Sequence, residues 1–233
     1  MKIDNVKVYG LGESIVASGL PMMENYDAER FEGASLLVDT AISGAGSQIT
    51  EYAEKHLKRI KSLASCAGGE SHDCALCGII VQCNVTAPRY WWPEESRYHF
   101  IDIISSTSTM HRLKNFIEKA VKIKENGGGP ELADLINAHF SKETWPVIID
   151  DFLSFAEARM KQTEVNIEEL KANLPEGWLQ TARITTNYRQ FKTLYRQRHK
   201  HRLQEWRDFC AWIETLPLAQ DLILGGMKKE QAE

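Results

Sequence analysis

The sequence lacks any long apolar run. No segment approaches the length that crosses a bilayer, and the first residues lack the uninterrupted apolar stretch of a signal peptide. We therefore expect a cytoplasmic protein without a membrane partner. Internal repeats and heptad arrays are also missing, which argues against a solenoid and a coiled coil.

Cysteine is scarce and odd in number. Four of the five cysteines lie between Cys66 and Cys83. Such a set suits free thiols in a reducing compartment better than a disulfide scaffold.

A basic excess is missing as well, since 28 Lys and Arg stand against 32 Asp and Glu. Proteins that coat nucleic acid are usually basic over a whole face, so composition argues against nucleic acid as the main partner.

Length and pattern favour one mixed domain. The chain has 233 residues, of which 43% are hydrophobic, and this suffices for a substantial core. Strand-like and helix-like segments follow one another in irregular order, which favours an α+β fold over a doubly wound α/β fold. We expect a single domain over residues 1–224 and a flexible tail over 225–233.

Local patterns predict the main elements. β-branched and apolar runs predict strands at 6–9, 75–85 and 178–186. Apolar residues at three- and four-residue steps predict helices at 47–63, 111–124, 147–171 and 187–215. Glycine and proline between residues 10 and 21 predict a loop.

One basic stretch contrasts with the slightly acidic whole. From Arg183 to Arg202, both included, the chain has seven Lys or Arg and no Asp or Glu. The stretch could face a nucleic acid backbone, bind one small phosphate, or form a solvated face that meets carboxylates elsewhere. Asn187 and Arg189 stand at the predicted start of a helix, where backbone N–H groups and the helix dipole favour an anion.

The spacing around this stretch resembles a known family. Its elements are Lys171-x-x-Leu174-Pro175, then Thr181, then Asn187-x-Arg189, and finally Arg198. This pattern resembles, without a gap, the C-terminal signature of flavin-dependent thymidylate synthases (ThyX). In that family an arginine stands where this chain has Lys171.

A second motif upstream resembles the same family. Ala87-Pro88 is followed by Arg97-Tyr98-His99, which resembles a strand end and the Arg-His-Arg motif of the family. Here Tyr98 replaces the histidine and His99 replaces the second arginine. The resemblance covers residues 75–215. It implies an α+β fold with a mostly antiparallel central sheet packed with long helices, and a homotetramer whose sites lie between subunits.

The resemblance implies a role for each matching residue. Arg198 would be the catalytic residue, facing the pyrimidine of dUMP or a related deoxynucleotide, where a guanidinium can stabilise negative charge on the ring. The residues implied to bind FAD are Asn187, Arg189, Thr193, Arg97, Tyr98 and His99. The residues assigned to the nucleotide are Lys171, Arg198, Arg97, Glu94, Ser106 and Ser108. The hydroxyl-rich segment 105–109 could equally be a plain polar turn.

The reaction implied is transfer of a one-carbon unit from methylene-tetrahydrofolate to C5 of dUMP. FAD would carry the reducing hydride, with NADPH as the source of electrons. A related nucleotide or a hydroxymethyl product is an alternative, because the Arg-His-Arg motif is altered. Another alternative is a non-catalytic descendant that binds a nucleotide or nucleic acid through the same basic helix.

A Cys-x-x-Cys-Gly segment supports a different hypothesis. Cys74 and Cys77 have the spacing of a zinc knuckle, and Cys66 and His72 could complete the ligand set of a zinc-stabilised interaction domain. No second Cys-x-x-Cys pair exists. The thiols could therefore simply pack beside a strand, or form a redox pair. Trp91-Trp92 could likewise stack on bases or belong to the core.

Overall fold

The computed structural model of the chain describes residues 1–44, 51–66, 72–161 and 166–225. Apart from Gly225, the predicted tail lies outside the described residues, as do the first four residues of the helix predicted at 47–63. Within the described ranges, no helix is both long enough and apolar enough to span a membrane.

Four strands form one antiparallel sheet. They are β1 (Lys2–Tyr9), β2 (Ile80–Pro88), β3 (Asp102–Ser106) and β4 (Leu179–Asn187), in the order β1-β2-β4-β3. Buried residues alternate with more exposed ones along β2 and much of β4, as the pleat of a strand requires when one face covers a core. The α+β prediction is confirmed. The strands predicted at 6–9 and 178–186 are present as β1 and β4.

Eleven α-helices are formed by the part of the chain that is described. They are α1 (Leu11–Ala17), α2 (Ala28–Ser43), α3 (Glu51–Ala64), α4 (Trp92–Glu95), α5 (Thr109–Glu125), α6 (Pro130–His139), α7 (Pro146–Met160), α8 (Ile167–Ala172), α9 (Tyr188–Arg198), α10 (Gln204–Ile213) and α11 (Ala219–Leu222). Short 3₁₀ helices occupy Leu20–Met22 and Cys74–Gly78. The helix predicted at 111–124 is α5, and α3 matches the described part of the helix predicted at 47–63.

The loop predicted at 10–21 is wrong in its first half, which forms α1. Gly10 has a φ of 68° and turns the chain from β1 into this helix. A Cβ at this position would lie 2.6 Å from the carbonyl oxygen of Gly78, so both conformation and close packing require glycine. Ile15 and Val16 are fully buried, and their burial outweighs the low helix propensity of the glycine-rich segment.

The strand predicted at 75–85 begins later than expected, as β2. The preceding residues form the 3₁₀ helix Cys74–Gly78, in which the Leu76 N–H donates to the Asp73 carbonyl at 3.0 Å. Leu76 is buried while Cys77 is exposed. A short apolar run does not by itself distinguish a strand from a helical turn, so the boundary was decided by packing.

Two predicted long helices are wrong, because each is two shorter helices. The segment 147–171 contains α7 and α8, and the side chain of Asn166 caps α8. The segment 187–215 contains α9 and α10, separated by a turn at 199–203. Arg207 donates to two backbone carbonyls of this turn and so stabilises it. Apolar residues recur at helical spacing on both sides of each break, so the local pattern predicts one long helix in each segment.

The chain divides into two compact units, and the single domain over 1–224 stays a prediction. Unit 1 comprises Met1–Lys2, Asn84–Arg97 and Ile103–Arg183, and unit 2 comprises Ile3–Cys83, Tyr98–Asp102 and Ile184–Glu233. In unit 1, α5 to α8 supply most of a core around the fully buried Trp178. In unit 2, Phe191 of α9 packs edge-on against Phe209 of α10.

Candidate functional site

The start of α9 in unit 2 carries the residues predicted for a cofactor. Asn187 is the N-cap of this helix, and its side-chain oxygen accepts a hydrogen bond from the Gln190 N–H at 2.9 Å. The Tyr188 N–H donates to the Ile79 carbonyl at 3.1 Å. Because two of the N–H groups at the helix start are already used, an anion bound here would depend mainly on side chains.

A cavity of about 430 Å³ opens beside this helix start. Its lining residues are Asp73, Cys77, Phe100, Asn187, Arg189, Gln190, Lys192, Thr193 and Arg196, all from unit 2. The structure thus brings together three of the residues predicted to bind FAD: Asn187, Arg189 and Thr193. Three of the lining side chains are cationic and one is a carboxylate, so the cavity has an excess of positive charge.

A buried ion pair supports the wall of this cavity. Lys192 is 3% exposed, and its Nζ lies 2.8 Å from Asp73 Oδ2. The same ammonium donates to the carbonyls of Ala64 at 2.8 Å and Cys66 at 3.1 Å. A buried charge is tolerated only when it is paired and hydrogen-bonded, and Lys192 meets both conditions.

Asp73 also holds Arg189. The Arg189 Nε lies 3.0 Å from Asp73 Oδ1, in a charge contact without hydrogen-bond alignment. The Arg189 Nη1 lies 3.9 Å from the Cys77 sulfur. Contact with this sulfur raises the pKa of Arg189, and the Asp73 charge adds to the effect. Asp73 therefore links the buried ammonium to a guanidinium that lines the cavity.

Sequence reasoning missed both Asp73 and Lys192. Lys192 follows Tyr188 by four residues and Phe191 by one, so it lies on the buried face of α9. A lysine on an apolar face was a usable signal for a buried ion pair. No signal in the sequence identified its partner, because Asp73 lies 119 residues earlier in the chain.

Arg198, the predicted catalytic residue, ends α9. Its Nε donates to the Tyr98 hydroxyl at 2.6 Å, and its Nη1 lies 2.7 Å from His201 Nε2. The guanidinium carbon lies 4.7 Å from the centre of the Trp206 ring and 5.4 Å from that of Tyr98. The structure therefore brings two predicted residues, Tyr98 and Arg198, into direct contact.

The other predicted site residues lie elsewhere along the chain. His99 is exposed and belongs to unit 2. Those in unit 1 are Glu94, Arg97, Ser106, Ser108 and Lys171. Ser108 caps α5 by accepting from the His111 N–H at 3.4 Å, so its hydroxyl has a structural partner. Their roles toward a nucleotide stay predictions.

The cysteines and the pair Trp91-Trp92 carried the alternative interpretations of the sequence. All five cysteines are free thiols, and among the described residues no group of three or more His, Cys, Asp or Glu side chains could hold a metal ion. Trp91 is fully buried and Trp92 is 8% exposed, and their rings meet edge-on at 5.0 Å. Buried rings cannot stack on bases, so the structure favours the core interpretation of Trp91-Trp92.

The fold is similar to that of solved enzymes, although no protein-family model and no curated protein matches the sequence. One is a crystal structure of the flavin-dependent thymidylate synthase ThyX from Helicobacter pylori complexed with FAD and dUMP. It has a TM-score of 0.66 and 13% identity, covering 96% of this chain and 98% of that chain. Another structure of Helicobacter pylori ThyX with FAD and dUMP has a TM-score of 0.65 and 13% identity, covering 98% and 100%. The chain therefore has the fold of the flavin-dependent thymidylate synthases.

Proposed function

We propose that this protein is a flavin-dependent enzyme of the thymidylate synthase type, acting on dUMP or a related pyrimidine deoxynucleotide. The observation that carries the proposal is the positively charged cavity at the start of α9, lined by Asn187, Arg189 and Thr193. The chain has the fold of enzymes solved with FAD and dUMP, and both are anionic molecules. The cavity and the fold therefore support the same ligand class.

The donor set of the cavity fits the pyrophosphate of FAD. Arg189 can present part of its planar fork of N–H groups to phosphate oxygens, and Arg196 adds a second positive charge to the lining. Asp73 holds the Nε edge of Arg189, which limits the orientations of that fork before a ligand arrives. Asn187 keeps the helix start in register through its cap. When bound, FAD supplies the hydride that reduces the transferred one-carbon unit.

Arg198 is the residue that we assign to the pyrimidine. Its guanidinium lies against the ring of Trp206, which is fully buried and excludes water from that side. A guanidinium in such a setting can stabilise negative charge on N3 and O2 of the ring, which makes C5 nucleophilic. The one-carbon donor in this proposal is methylene-tetrahydrofolate, and NADPH supplies the electrons.

The remaining assignments place the nucleotide between chains of a homotetramer. We assign Arg97 and His99 to the cofactor and nucleotide of a neighbouring subunit, and Lys171, Glu94, Ser106 and Ser108 to the nucleotide.

The edge strand β3 is exposed along its whole length, including Ile103 at 46% and Ile104 at 52%. An edge strand presents unpaired backbone N–H and C=O groups that can pair with another chain, which supports assembly. The five free thiols suit a reducing compartment, so we place the enzyme in the cytoplasm.

Flavin binding by the purified protein tests the proposal directly. We expect visible flavin absorbance after titration with FAD, and tighter binding in the presence of dUMP. Arg189→Ala removes a charge-assisted contact and should weaken FAD binding about tenfold or more. Lys200→Ala is the matched control, because Lys200 is exposed and does not line the cavity.

Two outcomes would contradict the proposal. One is the absence of any FAD binding by the wild-type protein, with or without dUMP. The other is an equal loss of affinity in Arg189→Ala and Lys200→Ala, because general charge rather than the cavity would then attract the flavin. Formation of a C5-alkylated product from dUMP, methylene-tetrahydrofolate and NADPH would establish the reaction type.

A further inference from the structure

The Arg198 side chain is held on two sides by aromatic rings. Its guanidinium carbon lies 4.7 Å from the centre of the Trp206 ring and 5.4 Å from that of the Tyr98 ring. The Tyr98 and Trp206 rings are themselves 5.7 Å apart. Trp206 is fully buried and therefore forms a fixed wall rather than a mobile cover. A cation that packs against such rings loses much of its freedom to rotate.

Hydrogen bonds fix the direction in which this guanidinium points. The Tyr98 hydroxyl donates its single hydrogen to Gln197 Oε1 at 3.0 Å, so its oxygen is available to accept from Arg198 Nε at 2.6 Å. On the other edge, Arg198 Nη1 meets His201 Nε2 at 2.7 Å. Two edges of the guanidinium are thus defined by protein groups before any ligand is present.

We propose that Tyr98 is a positioning residue for Arg198 and not a direct contact of the flavin. Tyr98 keeps the guanidinium fork at a fixed angle toward the pyrimidine, so that little side-chain entropy is lost when the nucleotide binds. The identity of the ligand rests on the proposed function. The positioning itself rests only on the contacts within unit 2.

Tyr98→Phe is the variant that separates these roles, because it keeps the ring and removes the hydroxyl acceptor. We expect about tenfold weaker dUMP binding, as for loss of a hydrogen bond to a charged group, and unchanged FAD affinity. Tyr195→Phe is the matched control. It removes a hydroxyl on α9 that donates to Glu214 instead, and it should leave both affinities unchanged.

A double-mutant cycle with Arg198→Lys tests whether Tyr98 acts through Arg198. The lysine keeps the charge but has no Nε–H for the Tyr98 hydroxyl. In the Arg198→Lys background, Tyr98→Phe should therefore have no further effect on dUMP binding. A full tenfold effect in that background, or a tenfold loss of FAD affinity in Tyr98→Phe alone, would overturn the proposal and make Tyr98 a direct ligand contact.

The Arg198 Nε–H resonance gives a readout that does not depend on any ligand. Nuclear magnetic resonance of ¹⁵N-labelled protein, with the signal assigned by its disappearance in Arg198→Lys, should show slow exchange with water in the wild type and in Tyr195→Phe. Exchange should be fast in Tyr98→Phe. If the wild-type signal exchanges as fast as that of the exposed Arg202, positioning is wrong. If the signal is protected by Tyr98 but dUMP does not bind, positioning stands and the proposed function fails.

Discussion

The buried pair of Asp73 and Lys192 should be one of the most sensitive points of the fold. Asp73 is 4% exposed and Lys192 is 3% exposed, and their oxygen and nitrogen lie 2.8 Å apart. Asp73→Asn removes the negative charge but keeps an oxygen that can accept a hydrogen bond. The ammonium of Lys192 would then remain buried with only neutral acceptors.

The expected loss of stability in Asp73→Asn follows from the burial of the ion pair. Removing one partner of a buried ion pair destabilises proteins by about 3–5 kcal/mol, and the retained acceptor places Asp73→Asn near the lower end, at about 3 kcal/mol. Lys61 and Asp221 offer a matched control, because their atoms also lie 2.8 Å apart but their side chains are 43% and 44% exposed. Asp221→Asn should therefore cost less than about 1 kcal/mol.

Urea denaturation measures both variants on the same scale, as the free energy of unfolding extrapolated to water. A difference of about 2 kcal/mol or more between Asp73→Asn and Asp221→Asn is expected from the two burials. Equal losses of unfolding free energy in the two variants would refute the reasoning, since burial would then not change how much an ion pair contributes to stability. A large loss in Asp221→Asn alone would refute it as well.

Two further predictions concern a helix cap and the pH dependence of stability. Asn187→Ala should lower the free energy of unfolding by about 1 kcal/mol through loss of the cap, whereas Asn187→Ser, which can still cap, should lose little stability; equal losses in urea denaturation would contradict a capping role. Burial lowers the pKa of both His56 and His139 from an ordinary value of 6.5, so the unfolded chain binds protons at a higher pH than the folded one. Stability should therefore fall as pH drops below about 6.5. The loss of stability on acidification should be smaller in His139→Gln. A plot of unfolding free energy against pH identical to that of the wild type would argue against a contribution of His139.

Several elements of the fold were predicted correctly from short stretches of sequence. The β-branched run before Pro88 and the amphipathic pattern of α5 predicted their elements, because such patterns act over one or two turns or a few strand residues. Asn187 predicted the start of α9 for the same reason, since a cap acts on the next three residues. The spacing from Lys171 to Arg198 indicated the fold that the structure then displayed.

Other features were decided by contacts that form only in the folded chain. α1 forms in a glycine-rich segment because Ile15 and Val16 become buried, and α9 and α10 separate because the turn between them is held by Arg207. Neither contact is visible in local periodicity. Propensity is a weak preference that tertiary burial readily overrides.

The candidate site shows the same division. The sequence by itself determined which residue types were available at the start and end of α9, including the two predicted arginines. Only the tertiary structure decided that Asp73 pairs with Lys192 and Tyr98 with Arg198, across 119 and 100 residues of chain. The physical reason is that a charge or a hydroxyl does not specify its partner, and the partner is set by which elements the hydrophobic core brings together.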